Sequence, residues 1–529
     1  MNQYPIFPGQ DTPARPTLRL PVLTTTVSTE LSHDFTLPDY LPDIRKILRV
    51  SATILPQESY VGSTSVDFSG ALQYKLLYVS ADGTLWSGDL PADYALSLPL
   101  SLSERFDPTV GIDAFEATCP EQMLTRVLSP RKVSIRTRLA STVEVYAEAS
   151  LDDKLRGQRD EHIERLEGEG DCAVVLRGRQ SGLTLTDEIL PSGEKHDALR
   201  VISAEGQVFV SEADADSDTI RLRGEAVVRI FTAEDEENAM SAAPTVLLRR
   251  IPFDTAIAVV GADRFADARG FGEIERIGVT VEDGRILCEA VLTLFGECQK
   301  NRRFVYTRDL FSTAAEVDTV YETLRLPIGV KCGVGNFTFS ESTPLEGLGI
   351  GADDRIIDVT GSFSIGQVTV KNDRLLCTGE GDFRLLLHND VSGEYSAVEI
   401  SLPYRYLTDY SADLHALPEE ITEASLLVTP ITLRCKTDGE RLAVEGELSV
   451  SLRASASRTE TMLCEAHVGS PLLHERGTIR IYYPVKEETL WEAARRYHVS
   501  PRALAAASEI SLAPSDRLDG VKFLTVVDA

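Results

Sequence analysis

Long apolar runs are missing: no stretch of about 18 consecutive apolar residues occurs, which excludes a membrane-spanning helix. Basic residues are scarce. Lysine and arginine number 53 against 82 aspartates and glutamates, a net charge of −29, and that sign repels nucleic-acid phosphates and anionic membrane surfaces. The eight cysteines form no C-x-x-C pair, and several sit inside apolar, strand-like runs where cysteine acts as a small hydrophobe. A reduced cytosol is therefore expected. The first residues, MNQYPIFPGQDTPARP, lack the basic start and apolar core of a secretory signal, so export is not expected.

Catalytic signatures are absent as well. His33, His162, His196, His388, His415, His467, His474 and His498 are scattered, with no H-E-x-x-H and no paired metal spacing. There is no G-x-S-x-G elbow. Asp214, Asp216 and Asp218 alternate ahead of Glu225 like a calcium loop, but Thr219 occupies the position that needs glycine, and a hairpin loop is the expectation. The run Gly347, Gly349, Gly351 lacks the flanking strand, helix and lysine of a nucleotide loop and reads as a plain loop. No enzyme activity, metal or cofactor is expected.

What is present is 43% hydrophobic and 26% charged residues, an ordinary globular composition, over a length that predicts three or four domains. An internal repeat organises it. VDFSGALQYKLLYVSADG from Val66, IRLRGEAVVRIFTAEDEE from Ile220 and LLCTGEGDFRLLLHNDVSG from Leu375 align on Gly70, Gly224 and Gly379. Upstream of them lie DIRKILRVSATI from Asp43, DALRVISAEGQV from Asp197 and DRIIDVTGSFSI from Asp354. Downstream, KVSIRTRLASTVEVY from Lys132, GRILCEAVLTLFGEC from Gly284 and GERLAVEGELSVSLRA from Gly439 alternate with period two, the pattern of strands with one face on a core. Asp82-Gly83, Asp283-Gly284 and Asp438-Gly439 mark hairpin turns.

The expectation is a mainly β protein: three tandem β-rich repeat domains, sandwich or open barrel, over 21–150, 151–305 and 306–468. Residues 1–20 read as a poorly ordered arm. The charged stretch from Leu151 to Glu169 reads as a linker or short solvated helix.

From Gly477 the pattern changes to strand, helix, helix, strand over 477–529. Thr489 and Glu492 are spaced as a capping box, and Ser500-Pro501 opens a second helix. Leu490, Ala493, Ala494, Tyr497, Val499 and Leu504 at helical spacing are its core. For Trp491 two readings stand, core packing or a partner-binding anchor, with Arg495, Arg496 and Arg502 as a basic face.

This segment resembles a LysM domain through Tyr483, Val485, Thr489, Leu490, Trp491, Ala494, Tyr497, Val499, Leu504 and Gly520. Glu487 and Glu488 stand where that family has Gly-Asp, and Ser508 where it has asparagine. By this resemblance the partner-binding residues are Glu487, Glu488, Thr489, Leu490, Trp491, Arg495, Arg496 and Ser508.

LPDYLPDIRKILRV from Leu37, continued by FSGALQYKLLYVS, resembles the SPOCS domain of spore coat proteins in endospore-forming clostridia. The second copy, LPSGEKHDALRV from Leu190, keeps the pattern. Tandem SPOCS units with a C-terminal LysM domain resemble the SipL-like spore coat assembly proteins. The resemblance implies a non-enzymatic scaffold in the mother-cell cytoplasm, recruited to the forespore or spore coat surface. Its LysM-like domain would tether the coat-basement morphogenetic ATPase, alongside other coat proteins. The alternative is a peptidoglycan-binding cell-wall protein with a β-repeat stalk, against which the lost Gly-Asp speaks.

Overall fold

A computed structural model of the protein describes residues 17–55, 58–102, 106, 111–151, 154–156, 162–189, 199–234, 244–282, 285–409, 420–473 and 477–527. It is mainly β, as the period-two alternation requires, and its sheets are antiparallel apart from one two-residue parallel pairing. The first strands are β1 (Thr17–Thr36), β2 (Ile44–Ile54), β3 (Glu58–Val61), β4 (Ser65–Ser80), β5 (Leu85–Pro99), β6 (Asp113–Ser129), β7 (Lys132–Ser150) and the short β8 (Leu155–Arg156). There follow β9 (Ile163–Ile189), β10 (Leu199–Asp216), β11 (Thr219–Glu234), β12 (Thr245–Ala258), β13 (Asp267–Glu282) and β14 (Arg285–Ser312). The last long strands are β15 (Ala315–Pro344), β16 (Asp354–Lys371), β17 (Arg374–Asn389), β18 (Tyr395–Thr408), β19 (Glu423–Asp438) and β20 (Arg441–Pro471).

One pairing pattern recurs three times. A three-stranded sheet in the order β1-β7-β6 accompanies a second built of β2, β4 and β5. Likewise β9-β14-β13 accompanies β10-β11-β12, and β15-β20-β19 accompanies β16-β17-β18. The glycine-centred sequence blocks are β4, β11 and β17, lying between β2 and β5, β10 and β12, and β16 and β18; in the second set β10 also pairs with β13, so that its strands form one six-stranded sheet. Gly224 and Gly379 face bulges on the neighbouring strand, between Val210 and Glu212 and between Ile365 and Gln367. A Cβ there would stand 2.1 Å from the carbonyl of Phe209 or of Ser364. The bulge pushes a carbonyl inward, and only glycine leaves it room.

The turn signals act as read. Gly83 (φ 90°) closes β4 to β5 and Gly439 (φ 59°) closes β19 to β20, whereas Asp283-Gly284 lies outside the described residues. Asp218 (φ 54°) turns the β10–β11 hairpin and accepts from the Gly261 amide at 2.7 Å. Gly347 and Gly349 have positive φ in the β15–β16 loop.

Three expectations are corrected. The charged stretch is not helical where it is described: Ile163–Glu169 opens β9 and pairs with Val305–Ser312 of β14, its side chains alternating inward and outward as a charged but period-two sequence does. Thr17–Leu20 belong to β1, with Leu18 and Leu20 buried. Residues 1–16 lie outside the described residues, as does most of the LPSGEKHDALRV block (190–198). The boundary drawn at 305/306 falls inside β14.

The three units meet in several places, and at two of them equivalent positions of the repeats come together. Bulges on β2, β10 and β16 set aside Leu48, Ile202 and Ile357, and these gather with Leu77, Phe231 and Leu386 in one apolar cluster. Glu144, Glu297 and Arg453 each stand eleven residues beyond a fully buried aliphatic, Val133, Ile286 or Leu442. In the ladders each lies on the middle strand, between Thr24 and Phe115, Arg177 and Arg269, and Cys332 and Ser425 respectively.

These three side chains converge. Arg453 pairs with Glu144 and, at 2.9 Å, with Glu297, and donates to the Tyr146 hydroxyl at 3.0 Å. Arg177 bridges Glu297 at 2.6 Å and Glu144, and Arg269 reaches Glu297 at 2.7 Å and the Ser425 carbonyl at 2.9 Å. Three guanidiniums and two carboxylates, all nearly or fully buried, thus join β7, β9, β13, β14 and β20 across all three units. Burial alone would raise the Glu297 carboxyl, but Arg269, Arg453 and Arg177 outweigh it and hold it far below the usual carboxylate range. A second buried set joins Arg49 to Asp358 at 2.9 Å and to Glu205 at 3.1 Å.

Candidate functional site: the C-terminal module

The last residues form β21 (Ile479–Tyr482), α1 (Leu490–Arg496), α2 (Pro501–Ala507) and β22 (Leu524–Val527). The capping box is made: Thr489 accepts from the Glu492 amide at 3.2 Å and Glu492 accepts from the Thr489 amide at 2.8 Å. Ser500 takes the N-cap position before Pro501, but its side chain makes no capping bond. Leu490, Ala493, Ala494 and Leu504 are buried, with Tyr497 and Val499 packed against them. Both helices end on residues in the left-handed region, His498 (φ 51°) and Glu509 (φ 56°), whose successors bond back to Ala494 and Ala505 in the Schellman manner.

The eight residues singled out above separate into three groups. Trp491 and Arg495 face the rest of the protein. The Trp491 indole donates to Asp309 at 2.8 Å and meets Phe311 edge-on at 4.8 Å between centroids, while Arg495 donates to the same Asp309 carboxylate at 2.6 Å. Tyr321 donates to the other Asp309 oxygen at 2.6 Å, and His498 meets the Ser312 carbonyl at 3.1 Å. Trp491 is 3% exposed, so its core reading holds, with the neighbouring β14 supplying part of that core.

Glu488, Thr489, Leu490 and Ser508 are internal fasteners. Glu488 is buried, accepts from the Tyr482 hydroxyl at 2.8 Å and the Val485 amide at 3.0 Å, and pairs with Arg496 at 2.9 Å. Ser508 accepts from the Thr525 amide at 2.9 Å, tying the end of α2 to β22. Only Glu487 and Arg496 remain turned substantially to solvent. Glu487 has φ 68°, a conformation that glycine adopts without strain.

Elsewhere, a cavity of about 260 Å³ opens between β6 and the face of β9, β13 and β14. Phe115 stands edge-on over Phe271 and Phe295, which stack at 5.0 Å. Arg177 lies over the Phe115 ring at 4.5 Å. Burial pushes the Glu273 carboxyl on its wall up to about 7, with Arg179 opposing. Neither the ion cluster nor this cavity carries a sequence motif. The only trace of the cluster is charge at a core-facing position of the strands β7, β14 and β20.

Among the described residues no group of three or more His, Cys, Asp or Glu is placed to hold a metal ion, and no helix is long and apolar enough to cross a membrane. Burial pushes the thiols of Cys172, Cys298 and Cys377 up, the first two to about 12. His196, His415 and His474 lie outside the described residues. Comparison with family models, with curated proteins and with solved structures returns no match.

Proposed function

We propose that the chain is a non-enzymatic scaffold of endospore coat assembly, built from three SPOCS-like repeats and a LysM-like module that tethers the coat-basement ATPase at the forespore surface. One observation carries this reading: a pairing pattern that recurs three times, opening on LPDYLPDIRKILRV, precedes a strand–helix–helix–strand module in one chain. The signature has a structural task that suits a family hallmark. Leu37, Leu41 and Ile44 enter the first core, and Arg131 clamps the Pro38 and Leu41 carbonyls at 2.8 and 3.0 Å. The left-handed Glu487, where the LysM pattern has glycine, supports the module's assignment.

The stalk alternative is less favoured, because the repeats share buried charges and a common apolar cluster where a stalk would string its units end to end. A scaffold uses such rigidity to hold several contacts at fixed spacing. The reading is tested with full-length protein in pull-downs against the purified ATPase and against insoluble peptidoglycan. Retention by the ATPase alone, weakened by Arg502→Glu, is expected. Retention by peptidoglycan alone would replace this reading with the cell-wall one. Trp491→Ala is the wrong probe of binding, since it would first undock the module from Asp309 and Phe311.

A further inference from the structure

The sheet of β21 and β22 presents an outer face that is apolar save for Thr525, while Arg480, opposite Val526 on the other face, is exposed. The strand register sets Ile479 opposite Val527, Ile481 opposite Thr525 and Tyr482 opposite Leu524, and side chains alternate between faces. Leu524 and Val526 point inward and are fully buried. The outer face carries Ile479, Ile481, Tyr483, Phe523 and Val527, exposed by 68, 62, 70, 49 and 40%, with Val485 beside them at 62%. No charged side chain interrupts this ladder. Nothing among the described residues covers this outer face.

We propose that a second copy of this chain covers it, the two ladders packing face to face about a twofold axis. Area is the first argument. At roughly 170 Å² per fully exposed side chain of this size, the six present on the order of 600 Å². Two copies then bury about 1,200 Å², the lower end of stable protein interfaces, each contributing a patch at the upper end of what a monomer ordinarily leaves exposed, about 600 Å². Charge is the second. Residues 477–529 contain seven basic and seven acidic side chains, so the whole net charge of −29 lies in residues 1–476. Two copies repel one another everywhere except through this neutral segment. A twofold contact also needs a self-complementary patch, and an uncharged apolar ladder is one. The inference stands independently of the coat reading.

The test is sedimentation equilibrium of the full-length chain from 1 to 100 μM. A dimer of about 116 kDa, twice the 58.0 kDa chain, is expected, and Ile481→Asp and, separately, Ile479→Lys should each raise its dissociation constant at least tenfold. Both positions face solvent, so circular dichroism of the variants should match the parent. A parent that stays monomeric to 100 μM overturns the proposal. So does a dimer that two folded variants leave intact.

Discussion

Replacing Glu297 by glutamine should loosen the junction of all three repeats. The side chain is 1–2% exposed, accepts hydrogen bonds from Arg177 and Arg269, and forms an ion pair with Arg453. Glutamine keeps the volume and removes the charge, leaving three buried guanidiniums to the single carboxylate of Glu144. Breaking one partner of a buried ion network costs about 3–5 kcal/mol, because the charges left behind have lost their compensation. For a cooperative unit of about 450 residues, with about 2.1 cal/mol/K of unfolding entropy per residue, that is a fall in Tm of about 3–5 °C.

The pH dependence gives a second reading of the same residue. The folded-state carboxyl lies far below its unfolded value. Its stabilisation is therefore complete above the unfolded pKa near 4.5 and is lost as pH falls below that value toward the folded one. Calorimetry from pH 7 to pH 3 should show the parent losing more stability than Glu297→Gln, so that the two curves converge in acid. A surface pair serves as control: Arg221→Met, which breaks exposed contacts with Asp254, should leave the stability nearly unchanged. Equal Tm values for parent and Glu297→Gln at pH 7, or curves that stay parallel into acid, would refute the assignment of the cluster as the clasp.

Trp491→Ala removes a buried ring, its bond to Asp309 and its contact with Phe311. A loss of about 3–5 kcal/mol in module packing should appear as faster hydrogen exchange at the Leu310–Ser312 amides; unchanged exchange would count against docking. Gly379→Ala brings a methyl within 2.1 Å of the Ser364 carbonyl and should destabilise by more than the about 1 kcal/mol that separates the two residues in ordinary backbone, measured by denaturant unfolding. Glu509→Gly relieves a left-handed residue and should raise the module's stability by about 1 kcal/mol. Glu273→Gln should stabilise the protein above pH 7 and have no effect below about pH 4.5. The reason is that a folded-state pKa near 7 makes ionisation of the parent unfavourable to folding as pH rises between those values.

Much of the architecture was legible because it is written in local periodicity. Alternation at Lys132–Tyr146, or in the block from Ile220, identifies strands without any knowledge of neighbours. Three repeated blocks identify repeated units, and glycine after aspartate places turns at Gly83 and Gly439. The capping box at Thr489 and Glu492 is likewise local. The stretch from Ile163 to Glu169 misled because its dense charge outweighed its alternation; pairing with Val305–Ser312 is a nonlocal fact. That Trp491 and Arg495 meet Asp309 is nonlocal in the same way, since it lies 182 and 186 residues away.

The sequence alone determined the class, the repeat and the strand–helix–helix–strand order of the last fifty residues, since propensity, alternation and capping act over a few neighbouring positions. Only the tertiary structure decided that Glu144, Glu297 and Arg453, equivalent in the repeats but unlike in charge, meet in one place. It alone shows that Glu488 and Ser508 fasten the module internally, and that one face of β21 and β22 is left bare. Charge compensation, burial and coverage depend on which distant surfaces are brought together, and no local pattern records that.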